Sequence, residues 1–151
     1  MKIQTITETL SALPFFDGMS REHLEFIAGC ASNVRIPERE FVLRQSYPAN
    51  RFYLIRSGEI SLELQEANRT LQIATVGPGD MIGWSWLIPP YTWHYDGRAL
   101  TDAALVGFDA ECVRRKCDSD PRFGYDMFKR FTGLMADRLM STRIQLLDVY
   151  R

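Results

Sequence analysis

Hydrophobic positions along this chain change their period twice. Through residue 31 they recur at helical spacing: Leu24, Ile27, Ala28 and Ala31 share one helix face. Ser20 is placed to cap that helix, because its side-chain oxygen can accept from a free N–H of the first turn. Glu22 follows where the helix dipole favours negative charge. Phe15, Phe16 and an Asp17-Gly18 turn lead back to an earlier short helix.

From Val34 to Phe108 the period is two. Glu59 to Gln65 alternates strictly, which predicts a strand burying Ile60, Leu62 and Leu64 and wetting its other face. Leu71 and Ile73 repeat the pattern after a turn at Ala67-Asn68. Phe41–Leu43, Phe52–Ile55 and Leu105–Phe108 are further strand candidates. Turns are expected at Ser57-Gly58, Gly77-Pro78-Gly79-Asp80 and Asp96-Gly97. Pro78 presets one angle and Gly79 supplies the positive φ of a type II turn. Many short strands with such punctuation predict a sandwich or closed barrel.

Beyond Phe108 the helical period returns. Asp109 can cap a short helix through Cys117, and Asp120 with Pro121 can open a final one. There Phe128, Phe131, Met135, Leu139, Thr142, Leu146 and Val149 are spaced 3, 4, 4, 3, 4 and 3, close to a heptad seam. A helix of roughly thirty residues is roughly 45 Å long. Its free stripe calls for a partner, and a second copy of the chain is the simplest.

This order of elements resembles the sensor half of the catabolite-activator and fumarate-nitrate-regulator family, a cyclic-nucleotide-binding domain. The residues that carry the resemblance are Leu13-Pro14-Phe15-Phe16, Phe52 to Gly58, Gly77 to Gly83, and Ala136-Asp137-Arg138-Leu139. It implies one mainly β domain with α over residues 1–151. Its centre is a double-stranded β-helix, a jelly-roll-like β-roll, at 33–109. N-terminal helices at 1–32 and C-terminal helices at 110–151, ending in a long dimerisation helix, flank the roll.

The resemblance also implies a phosphate-binding cassette, mapped onto Gly83 through Arg98, with Thr142 where the family's dimer helix meets the base. Backbone N–H groups of a short helix would attract phosphate, and an arginine would complete a charge-assisted pair. The implied ligand-binding residues are Gly83, Trp84, Ser85, Trp86, Arg98, Ala99 and Thr142. Three of them depart from the family pattern. Trp84 stands in place of the glutamate that binds the ribose hydroxyl. Trp86 replaces a small residue, and Ala99 replaces a hydroxyl residue after the arginine. The intervening loop is also several residues longer.

Ile82 to Tyr95 holds all three tryptophans, Trp84, Trp86 and Trp93. It reads either as an altered pocket for a flatter or more apolar ligand, as core filling a vestigial pocket, or as an aromatic patch for a protein partner. Arg98 reads either as an anion anchor, as a surface arginine on a strand, or as the partner of a carboxylate such as Asp80, Asp96 or Asp102. No cofactor is fixed by the sequence; the candidates are a cyclic nucleotide or another small anionic or aromatic ligand.

Composition narrows the classes. A net charge of −1 offers no basic excess for nucleic acid. There is no signal-like or membrane-spanning apolar run, so a cytoplasmic location is expected. The three cysteines, Cys30, Cys112 and Cys117, then read as free structural thiols, with Cys30 assigned to a distant helix. No motif of a hydrolase, P-loop or zinc protease occurs, so an enzyme is not expected. The expected partners are a second copy through residues 121–150 and a further protein. If the chain is complete at Arg151, no family-type DNA contact is expected, because the helix-turn-helix half would begin about there.

Overall fold

The computed structural model describes residues 5–149. Helix α1 (Ile6–Ser11) and α2 (Arg21–Gly29) flank a 3₁₀ turn at Pro14–Phe16. The predicted cap is present: Ser20 Oγ accepts from the His23 N–H at 3.2 Å. The expected helical stretch ends earlier than its spacing suggested, because Ala31 already belongs to β1 (Ala31–Ile36).

Seven further strands follow: β2 (Phe41–Leu43), β3 (Arg51–Ser57), β4 (Ile60–Glu66), β5 (Arg69–Val76), β6 (Met81–Ile82), β7 (Asp96–Ala99) and β8 (Ala103–Asp109). They form two four-stranded antiparallel sheets, ordered β1-β8-β3-β6 and β2-β7-β4-β5. This is the expected β-roll. Its core is built from Leu43, Phe52, Leu54, Ile55, Ile60, Leu62 and Phe108, all buried.

The Gly77–Asp80 turn forms as read. Gly79 has φ +90° and the Asp80 carboxylate accepts from the Gly77 N–H at 2.9 Å. Gly58 also needs to be glycine: at φ +90°, a Cβ would lie 2.6 Å from the Asp102 carbonyl oxygen. Two expectations fail. Asp96-Gly97 is not a turn but the start of β7. The second face of β4 is not wet, since Ser61 and Glu63 are buried there, while Ile73 on β5 is exposed. A register shift between Leu62 and Glu63 breaks the simple alternation across β4 and β5.

Helix α3 (Ala110–Ser119) is capped by Asp109, whose carboxylate accepts from the Cys112 N–H at 3.1 Å. Helix α4 (Pro121–Val149) has 29 residues and starts at the Asp120 cap, which accepts from the Phe123 N–H at 3.3 Å. The chain divides into two compact units between Arg114 and Arg115, within α3. In the second unit Phe123, Met127 and Phe131 are buried, while Leu139, Met140, Ile144, Leu146 and Leu147 are exposed.

Candidate functional site

The aromatic segment begins where β6 ends. Gly83 takes the left-handed conformation, φ +86°, and starts a single 3₁₀ turn at Trp84–Leu87. A side chain at Gly83 would press on the Arg51 carbonyl oxygen (3.2 Å) and the Trp93 indole nitrogen (3.3 Å). Only glycine lets the backbone pass so close.

Within this turn Trp86 is fully buried. Its ring stacks on Phe52 with centroids 4.6 Å apart and an interplanar angle of 14°. Phe52 in turn stacks on Phe108 at 4.7 Å and 9°. Trp86 therefore belongs to a pile of aromatic rings that runs into the core. Ser85 is buried beside it and Trp84 is half-buried. Trp93 is 8% exposed, and its indole N–H has no hydrogen-bond acceptor among the described residues.

The rest of the segment is pinned from two sides. Ser46 and Ala49 donate to the carbonyls of Trp93 and Tyr91 at 2.8 and 2.7 Å. Arg114 of α3 donates from Nη1 to the Trp86 carbonyl at 2.8 Å and lies 4.8 Å over the Tyr91 ring. Ile88, Pro89, Pro90, Tyr91 and His94 are exposed.

Arg98 is placed on β7. On β7 it is in register with Ser61 of β4, whereas Gly97 and Ala99 face Leu62 and Ile60. Residues directly opposite in an antiparallel pair share a face, and neighbours along a strand alternate. Arg98 therefore sits with Ser61 and Glu63, on the side of the sheet away from Ile60, Leu62 and Ala99. Its guanidinium grips Glu63, with Nη2 to Oε2 at 2.7 Å and Nε to both carboxylate oxygens at 3.2 Å. The Ser61 hydroxyl donates to Glu63 at 2.8 Å and accepts from Gln72 at 2.9 Å. The hydrogen bond from Arg98 holds the Glu63 carboxyl below the usual carboxylate range, against the opposing effect of burial.

Arg98 is thus paired with a carboxylate, as one of its readings had it, but the partner is Glu63 and not Asp80, Asp96 or Asp102. Ala99 is a buried core residue whose N–H donates to the Glu40 carbonyl at 2.9 Å. The structure brings Gly83, Trp84, Ser85 and Trp86 together in one turn and places Arg98 and Ala99 on β7. Thr142 is an exposed residue of α4, in the second unit, and its hydroxyl donates to the Arg138 carbonyl at 3.0 Å.

The cysteine reading is also corrected. Cys30 and Cys112 form a disulfide, with Cα atoms 5.9 Å apart. Cys30 is distant only in sequence. It immediately precedes β1, whose Ala31 pairs with Phe108 of β8, and Cys112 lies one helical turn beyond the end of β8. Cys117 is the free thiol, pushed up to about 11 by burial and by the neighbouring Asp118. No cluster of three or more metal-binding side chains occurs among the described residues.

Comparison with known proteins fits this architecture. Over 143 residues the chain is 22% identical to the CRP-like cAMP-activated global transcriptional regulator of Mycobacterium tuberculosis. The match covers 94% of this chain but only 62% of that relative's length. A candidate cyclic nucleotide-binding protein from Geobacter metallireducens superposes with a TM-score of 0.81 at 22% identity, covering 91% of this chain and 99% of that one. A cyclic nucleotide-binding domain from Methylobacillus flagellatus gives 0.80 at 19%, covering 95% and 82%. These likenesses show the fold. Residues 33–120 match the family described as the cyclic nucleotide-binding domain, and the chain belongs to that family.

Proposed function

We propose that this chain is a regulatory small-ligand domain of the cyclic-nucleotide-binding type whose phosphate cassette is degenerate, and that it signals as a homodimer through α4. Its role is binding and regulation, not catalysis, and its place is the cytoplasm. The observation that carries the reading is the fully buried Trp86, stacked on Phe52 in the very turn where a phosphate would need backbone donors. Burying a phosphate against indole carbon is unfavourable unless compensating donors are present. Arg98, already joined to Glu63, does not supply them. A flat, uncharged aromatic ligand needs no such donors and so suits this aromatic segment better than a cyclic phosphate.

Tryptophan emission tests this directly. Titration with adenosine and guanosine is expected to give a saturable change at concentrations no higher than those needed with cyclic AMP or cyclic GMP. Micromolar binding of a cyclic nucleotide with no response to its nucleoside would sink the degenerate-cassette reading. Silence towards every ligand would favour the second reading, a protein-interaction module without a ligand. That reading draws on the same packing, because Trp86 fills the space it occupies.

The dimer half of the proposal rests on α4. Leu139, Ile144, Leu146 and Val149 are exposed along its C-terminal half, more apolar surface than a lone helix leaves in water without a partner. Leu139→Glu is expected to turn a dimer into a monomer in sedimentation equilibrium while far-ultraviolet circular dichroism is unchanged. Leu139 is 54% exposed, so the substitution leaves the folded chain intact. A wild-type monomer, or an unchanged dimer in the variant, would remove α4 from the interface.

A further inference from the structure

We propose that Cys30 and Cys112 are a reversible thiol–disulfide site that clamps α3 to the end of α2 and makes the domain sensitive to redox state. The fold, and no local sequence pattern, creates the pair. Cys30 is the C-cap of α2, and the pairing of β1 with β8 carries it to the start of α3. The Asp109 N–H donates to the Cys30 carbonyl at 2.8 Å, which fixes the two backbones at this point in either redox state.

Access distinguishes this pair from a sealed structural bridge. Cys112 is only half-buried, and both cysteines line an open cleft of about 240 Å³ together with Ser32, Arg51 and Asp109. The cleft carries one basic and one acidic residue, Arg51 and Asp109, so its lining has no net charge to repel an anionic thiolate. Cys117 stays protonated near neutral pH and does not compete as a nucleophile. In a reducing compartment a protein disulfide is usually transient and redox-sensing, which matches an accessible pair better than a permanent one.

The exchange balances with a small dithiol as reductant. One thiolate of the dithiol attacks a sulfur of the pair. The Cys30–Cys112 bond breaks, a mixed disulfide forms, and the other cysteine leaves as a thiolate that takes up a proton. The dithiol's second thiolate then displaces the bound cysteine and closes its own disulfide. Two electrons pass from the dithiol to the protein. A small-molecule disulfide drives the reverse reaction.

Opening the bond leaves α3 capped, because Asp109 still accepts from the Cys112 N–H and Ala110 still donates to the Asn50 carbonyl at 3.0 Å. What it releases is the covalent tie two residues before Arg114, the residue that holds the Trp86 carbonyl and covers Tyr91. Redox state at the pair therefore reaches the aromatic segment through the first turns of α3.

The test equilibrates the full chain in buffers of graded reduced to oxidised dithiothreitol, then traps thiols with an alkylating agent for mass spectrometry. One alkylated cysteine, Cys117, is expected at the oxidised end and three at the reduced end, joined by a single reversible transition under native conditions. Tryptophan emission should shift over the same range, and tryptic cleavage after Arg114 and Arg115 should quicken severalfold on reduction. Cys112→Ser, or Cys30→Ser should the first variant fold poorly, should abolish both responses to the buffer. Three free thiols at the oxidised end, a bond that includes Cys117, or reduction only after denaturant is added would each overturn the proposal.

Discussion

Trp86→Ala is expected to destabilise the chain by about 3–5 kcal/mol, the usual cost of truncating a buried large aromatic. The indole is wholly inaccessible and belongs to the pile Trp86–Phe52–Phe108, with Phe16 tilted against Phe108 at 6.3 Å. Its removal forfeits buried apolar area, leaves a cavity, and ends a stacking contact worth about 0.5–1.5 kcal/mol beyond its area. The Trp86 carbonyl that accepts from Arg114 belongs to the backbone and survives the change. Urea unfolding should therefore show a lower midpoint with an unchanged slope. Trp84→Ala, at a half-buried ring in the same turn, should cost much less. Equal costs at the two positions, or less than about 1 kcal/mol at Trp86, would mean that the ring is a mobile pocket wall and not core. An apolar cavity of this kind can accept a small aromatic molecule. Added indole should then raise the melting temperature of the variant more than that of the wild type.

The sequence told the fold well and the site poorly, and the difference is physical. Strict alternation at Ile60–Leu64, the Gly79 turn, and the caps Ser20, Asp109 and Asp120 are local signals, and each produced the element it predicted. What failed depends on which strands become neighbours. Glu63 looks like a solvated position until β7 is laid beside β4, bringing Arg98 opposite Ser61. Asp96-Gly97 has turn chemistry, but Asp96 is buried in β7 and accepts from the Gln45 N–H at 2.7 Å. The Cys30–Cys112 pair bridges a separation of 82 residues through the pairing of the first and last strands. The one signal that could have flagged the polar network was a lone carboxylate in mid-strand with a lone arginine in another. Such a pairing is a register property, which spacing along the chain does not reveal.

Arg98→Ala is expected to cost about 2–4 kcal/mol at neutral pH while leaving ligand titrations unchanged. Breaking a buried pair by removing one partner costs about 3–5 kcal/mol, because the other charge stays behind without compensation. Here the Glu63 side chain is 5% exposed but that of Arg98 is 37% exposed, so water softens the loss and shifts the expected cost below that range. The Ser61 hydroxyl is one hydrogen bond that would remain to Glu63 in the variant. The pH dependence separates this explanation from a simple loss of packing. In the wild type, Arg98 holds the folded-state pKa of Glu63 below its unfolded value. The pair's contribution is therefore complete above the unfolded value, near about 4.3, and is lost as pH falls through the lower folded value. In the variant the buried carboxyl, deprived of its cation, is pushed the other way, so protonation relieves it at a higher pH than in the wild type. Both effects act in the same direction: the gap in unfolding free energy between wild type and variant should be widest near pH 7 and narrow as the solution is acidified. Measured in a Glu63→Gln background, the Arg98→Ala change should show no such narrowing, and the double variant should cost less than the sum of the single changes. A pH-independent gap would leave Arg98 as packing alone. A loss of anion binding in Arg98→Ala would make it the phosphate anchor in spite of its pairing with Glu63.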